Sequence, residues 1–458
     1  MLTRDIALDD AVLDLLDNCL DGAARTLRQK GESKDTVKPY DGFKALLHFS
    51  AHEFVIEDNC GGIPLNIAAE RAFRMGRPES LDEDEADRGT VGVYGIGMQR
   101  ALFKFGTGIE VISAGDDPFK VEISDGWLHS EDWDDFDLEP YDGEDVTDGT
   151  RIVVRELDPL VRDAFSDRDW VEAFIRYVGQ HYSILIEKGF EVLISFDGGE
   201  ASPVRPVKMS MYLSETEVEG ARIAPSIYRG IVDGVDVEIY SGLIAPPKSV
   251  GEADRDSEKA SSDVKAGWTV VCNDRIVVVH DRSHLTGWGT PPVPSYHGLY
   301  SVIAGYVFMK SEDVSKLPLT TTKRGIDLNS PIYSKVMMLM KDAIVPFINF
   351  TNEWKTAEQR SAPLKGAVQT PLPEVRTGYA KRANFNTVRK VSGFERHLPK
   401  LPSAKSEKKT PRAFLSIDDD EGDLVSRHYG IDEGPPWANS LGKAWSEAVI
   451  RAKKSSGT

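Results

Sequence analysis

Residues 9–23 read DDAVLDLLDNCLDGA, and this stretch restricts the fold more than any other. Asp14, Asn18 and Asp21 fall at i, i+4 and i+7, which places them on one face of an α-helix. Leu13, Leu16 and Leu20 take a neighbouring face, and Leu15 and Cys19 another. A helix apolar on most sides is a buried helix. A polar stripe within it needs partners, because an unpaired buried carboxylate is costly. Salt-bridged acids would satisfy the stripe, and so would a ligand. Two downstream stretches favour the ligand.

Residues 52–59, HEFVIEDN, carry an apolar strand into Asp58, and DNCGGIP then breaks the pattern. Gly61 and Gly62 permit backbone conformations and close approaches that a side chain would block. An aspartate at such a strand end can accept a hydrogen bond from a ligand amino group. Residues 89–101 read GTVGVYGIGMQRA, with Gly89, Gly92, Gly95 and Gly97 ahead of the helical pattern MQRALFKF. Glycines before a helix N-terminus present backbone N–H groups and the positive end of the helix dipole, which suits phosphate. Between the two lie an amphipathic piece, AAERAFRMG, and the acidic PESLDEDEADRGT, which reads as an exposed loop.

The remaining chain is mixed. Strands are expected at IEVISA, FKVEIS, GTRIVVR and FEVLISF, with an acidic loop over residues 130–148 and a helix over 169–188. From residue 222 to 350 strands and helices alternate. GWTVVCNDRIVVV carries a hairpin turn at Asn273-Asp274, the polar stretch 246–267 reads as a loop, and SPIYSKVMMLMKDAIVPFINF reads as a helix. Residues 355–412 hold 14 Lys and Arg against 4 Asp and Glu, with many prolines, and read as a basic linker. Residues 413–458 have the pattern of one or two short helices. No internal repeat is visible.

Composition narrows the function. The 458 residues suffice for two or three domains. The net charge of -19 excludes a surface coated throughout for nucleic acid and leaves room only for a local basic patch. Three cysteines, Cys19, Cys60 and Cys272, fit no zinc spacing and point to a reducing, cytoplasmic setting. No apolar run reaches the roughly 18 residues of a membrane span. The first residues lack the basic and apolar segments of a signal peptide. Little chain precedes the first helix, so an arm to exchange between protomers is expected either to lie upstream of this sequence or to be absent.

The acid/Asn helix, the strand ending in Asp with glycines, the glycine loop entering a helix and a Gly-Thr strand at Gly149-Thr150 occur in that order. Over roughly residues 5–157 the set resembles the GHKL superfamily of ATP-binding proteins, which includes gyrase B, Hsp90, MutL and the MORC ATPases. The layout is most similar to MORC-like and Hsp90-like chains. The resemblance implies an α+β fold: a Bergerat-type ATP-binding sandwich (residues 1–200), a ribosomal-S5-like transducer (201–354), the basic linker (355–412) and a helical C-terminal segment (413–458). It implies ATP and Mg2+ as cofactors. Asp14 matches the general base, Asn18 the magnesium ligand, and Asp58 the acceptor of the adenine amino group. Gly62 matches the last glycine of that motif, where Cys60 replaces the family's middle glycine. Gly92, Gly95 and Gly97 match the phosphate-loop glycines, residues 74–95 the ATP lid, and Thr150 a threonine beside adenine. Lys323, in TTTKRGID, matches the transducer lysine that reaches the γ-phosphate, with Arg324 as a substitute.

Magnesium is a hard cation that takes oxygen ligands, and the Asn18 amide offers one. Asp14 is one methylene shorter than the family's Glu, so its reach falls by roughly an ångström and slow hydrolysis is expected. The resemblance implies a switch ATPase with a nucleotide-dependent homodimer. It is similar in its first 350 residues to bacterial proteins of DNA handling and antiviral, phage-directed defence. The alternative is a weakly hydrolysing ATP-binding scaffold whose basic segment holds nucleic acid or a protein client.

Overall fold

In Lys44–Phe49 (β1) every second residue is buried, and Phe54–Asp58 (β2) begins on the same rhythm. Period-two burial makes a strand, and the two strands form an antiparallel hairpin with Phe49 opposite Phe54 and Ala45 opposite Asp58. This computed structural model describes residues 6–31, 37–68, 97–123, 138–143, 146, 148–217, 219–257, 265–320, 325–356, 360–404, 424, 427–428 and 451. The hairpin lies inside an eight-stranded sheet of order β5-β4-β3-β6-β2-β1-β7-β8. Its other strands are Gly106–Ala114 (β3), Phe119–Ile123 (β4), Glu139–Pro140 (β5), Gly149–Leu157 (β6), Glu191–Phe196 (β7) and Ser202–Pro203 (β8). All pairings are antiparallel except β1 with β7, so the chain must cross over between those two.

Five helices bury their apolar faces in one core with the sheet: Leu8–Gln29 (α1), which precedes β1, and, within the crossover, Gly97–Phe105 (α2), Pro159–Phe165 (α3), Arg168–His181 (α4) and Ser183–Glu187 (α5). Asp158 and Asp167 cap α3 and α4 by accepting from the amides of Leu160 and Asp169. Phe49, Phe54, Phe105, Phe165, Trp170 and Phe174 interlock, with Phe54–Phe105 and Phe49–Phe165 centroids 5.0 Å apart, and tie β1 and β2 to α2, α3 and α4. The single helix expected over 169–188 is broken at Tyr182, whose φ of -105° and ψ of 9° leave the helical region.

A second sheet follows, of order β13-β12-β14-β11-β10-β17-β16. Its strands are Ser226–Val232 (β10), Val235–Leu243 (β11), Gly267–Cys272 (β12), Arg275–Asp281 (β13), Ile303–Lys310 (β14), Asn386–Thr387 (β16) and Phe394–His397 (β17). The polar stretch expected as a loop before β12 contains a helix, Val250–Ser257 (α6). Pro331–Trp354 (α7), capped by Ser330, packs on β10, β11 and β14 as the apolar pattern predicts. The turn between β12 and β13 places Asn273 and Asp274 at φ 47° and 69°, the left-handed geometry of a tight hairpin. The fold is thus α+β.

The basic stretch expected as a linker departs from that expectation. Ala367–Pro371 (β15) pairs with Ser210–Ser214 (β9), and β17 pairs with β10. The side chains of Leu372, Val375, Val388, Val391 and Phe394 are buried. These apolar residues are few and widely spaced, so no period is visible, yet each meets a surface made elsewhere in the chain. By contacts the chain divides into residues 1–404 and residues 405–458. In the second unit Leu424, Arg427, His428 and Arg451 are helical. Among the described residues no helix is long and apolar enough to cross a membrane.

Two outcomes follow from the second sheet. Phe394→Ala removes a side chain only 2% exposed at the seam between β17 and β10, and should cost about 3–5 kcal/mol in urea unfolding, where a linker residue would cost nothing. His280 is held near pKa 4, below its ordinary 6.5, first by burial and then by the charges of Lys265 and Arg282. The fold favours neutral imidazole, so this stability is complete above pH 6.5 and is lost as pH falls through about 4. His280→Asn should flatten that stretch of the stability–pH curve by up to about 3 kcal/mol.

Candidate functional site

Helix α1 is buried on nearly every side, including Asp17 and Asp21. Asn18 is its exposed exception in the middle turns, and Asp14, one turn earlier, is half-buried. One residue past Asn18, Cys19 bonds the Leu15 carbonyl at 3.4 Å and also meets the Asp58 carboxylate. The polar stripe is therefore split: its inner members are matched by protein, and Asn18 faces outward.

Asp58 ends β2 directly beneath this helix. Its Oδ1 accepts from the Cys60 amide at 2.8 Å, and the amide of Thr150 also favours its charged form. Burial outweighs these bonds and raises the Asp58 pKa above the usual carboxylate range. Burial, followed by the nearby Asp58 charge, pushes the thiols of Cys19 and Cys60 upward, so both stay protonated and unreactive at neutral pH.

The glycine turn after Asp58 is gripped from two sides. Arg25 Nη2 donates to the Gly62 carbonyl at 2.5 Å, and Thr26 Oγ1 donates to the Cys60 carbonyl at 2.9 Å. From the opposite side the Ile63 amide donates to Ser113 Oγ at 2.7 Å. Gly61 and Gly62 adopt φ of 93° and 67°. A Cβ on Gly62 would lie 3.0 Å from Gly115 N and Ser113 Oγ. At the start of β6, a Cβ on Gly149 would lie 1.7 Å from the Asp58 carbonyl oxygen. That close approach brings buried Thr150 beside Asp58 and into register with Ser113.

Asp58, Gly62 and Thr150 thus come together, with Asn18 and Asp14 on the helix above. Gly97 opens α2, which packs against α1. Gly92, Gly95, the lid over 74–95, Lys323 and Arg324 lie outside the described residues. Arg25, Thr26 and Ser113 escaped the sequence reading. Arg25 repeats the stripe at i+4 from Asp21, which was a usable signal, whereas nothing marks Ser113 before the sheet is assembled.

Among the described residues no group of three or more His, Cys, Asp or Glu side chains could hold a metal. Magnesium carried by phosphates keeps several waters and needs only one or two protein oxygens. The outward Asn18 amide fits that requirement, and the Asp58 carboxylate fits an amino-group donor.

Gly149→Ala would drive β6 away from β2 at Asp58. It should destabilise the protein by about 3 kcal/mol in chemical denaturation. It should also shift the Thr150 amide resonance, which reports on Asp58.

No curated protein is significantly similar to this chain. Residues 6–134, from the first turn of α1 past β4, match the family model described as histidine kinase-, DNA gyrase B-, and HSP90-like ATPase. The order of α1, the Asp58 turn and α2 agrees with that match, which supports GHKL superfamily membership for residues 6–134.

Proposed function

We propose that the chain is an ATP- and magnesium-dependent switch ATPase. The observation that carries this reading is the stacking of Asn18 and Asp14 on one outward edge of α1 above an Asp58 carboxylate fixed by Cys60 and Thr150. Asp58 accepts the adenine amino group, and the protonated thiols beside it keep that end of the site dry. Asn18 supplies an oxygen to magnesium. Magnesium held there would supply positive charge against the phosphates. Asp14 orients the attacking water and accepts its proton, with the short reach that keeps turnover slow. Residues 201–354 act as the transducer, and Lys323 engages the γ-phosphate. Nucleotide binding then closes the lid and clamps two protomers together in the cytoplasm, in a DNA-related or antiviral role.

Asp14 in place of Glu favours a second reading, a nearly non-hydrolysing scaffold that binds nucleic acid or a protein client through its basic C-terminal stretch. Phosphate release separates the two. The ATPase reading expects turnover that Asp14→Ala lowers at least about 100-fold with nucleotide affinity retained. It expects Asp58→Asn to weaken an ATP analogue by about 10-fold or more, as befits a hydrogen bond to a charged group. Absence of turnover with tight binding would establish the scaffold. A mass unchanged by a non-hydrolysable analogue would remove the clamp.

A further inference from the structure

The inner side of α1 carries a contact that nucleotide binding does not require by itself. Asp17, 1% exposed, forms an ion pair with Arg275, 2% exposed, the first residue of β13 in the second sheet. Tyr182, at the break between α4 and α5, donates to Asp17 Oδ1 at 2.5 Å and lies 3.3 Å from the Leu13 carbonyl. The Arg275 guanidinium sits 5.6 Å from the Tyr182 ring centroid. The same hairpin is held at two further points. Asp274 meets Lys188 at 2.5 Å, and the Ile276 carbonyl lies 2.6 Å from His181 Nδ1. The hairpin is itself stiffened, since Asn273 exchanges two 3.0 Å bonds with the backbone of Ser311 beyond β14. Beside the hairpin, the C-terminal end of α1 and the second sheet line a cleft of about 670 Å³ that includes Arg28 and Lys310. Near that cleft the hairpin tip bears the contact.

Stability alone is a poor account of this arrangement. A fully buried ion pair seldom outperforms apolar residues of the same volume, because desolvation offsets attraction. Here Arg275 Nη2 is also buried without a hydrogen-bond partner among the described residues. What the pair does supply is a fixed position. Asp17 and Asn18 are consecutive in a 22-residue helix, so their side chains project about 100° apart from one rigid turn. Any roll or slide of α1 that satisfies Arg275 sets where Asn18 points.

We infer that Asp17 is a positioning residue: its buried pairing with Arg275 and Tyr182 couples the second sheet to the orientation of Asn18. This rests on the proposed role of Asn18 toward magnesium. Calorimetric affinity for a non-hydrolysable ATP analogue, with and without magnesium, tests it, alongside thermal unfolding of the nucleotide-free protein. Wild type should bind more tightly with magnesium. Asp17→Asn and Arg275→Met should each reduce that magnesium gain about 10-fold, while affinity without magnesium, set at Asp58, stays within about twofold. Should those variants fail to fold, Tyr182→Phe, which removes one hydrogen bond, should still reduce the gain two- to threefold. A magnesium gain unchanged in folded variants, even ones that melt earlier, would overturn the inference and leave the ATPase reading intact. A wild type without nucleotide affinity would overturn both.

Discussion

A helix buried on nearly every side must find a partner for each polar side chain it carries, and α1 meets that demand with three separate parts of the protein. Asp17 is matched by Arg275 of the second sheet and by Tyr182. Cys19 is matched by its own helix and by Asp58. Arg25 and Thr26 hold the carbonyls of the glycine turn. What remains outward in the middle of the helix is Asn18. Among the side chains of its middle turns, Asn18 is the one that α1 leaves exposed.

The floor of the site is made by backbone approach. Strand β6 meets the end of β2 where only a hydrogen fits at Gly149, and the turn after Asp58 bends through two left-handed glycines. Such contacts fix a carboxylate more firmly than long side chains could, because no rotamer is free to relax. They also explain why Cys60 can stand in the middle of the motif. The two glycines that follow it make the left-handed bends, and its amide serves Asp58 whatever its side chain.

Much of this was legible in the sequence. Local patterns reveal β2, the Asp58 turn, the Asn273-Asp274 hairpin and α7, since each is specified by neighbours within a few residues. The C-terminal strands were not legible. Asn386–Thr387 is two residues long and exposed, and Phe394–His397 buries one aromatic side chain among partly exposed neighbours. Phe394–His397 is held by β10, more than 150 residues earlier in the chain, and Asn386–Thr387 in turn by Phe394–His397. The break at Tyr182 was equally hidden, because that ring is turned toward an aspartate on α1. The pairing of Asp17 with Arg275 spans 258 positions, and no window on the sequence contains both.

That separation has a consequence for how the chain comes into being. During synthesis the first sheet can assemble its own strands once β8 has emerged, but Asp17 then lacks the cation that completes its surroundings. Until residue 275 is made, α1 must either keep Asp17 in water or bury it without Arg275. Cut at the end of its sheet, the N-terminal region would carry Asp17 without its Arg275 partner. It is finished from outside, by a hairpin that belongs to the next part of the protein.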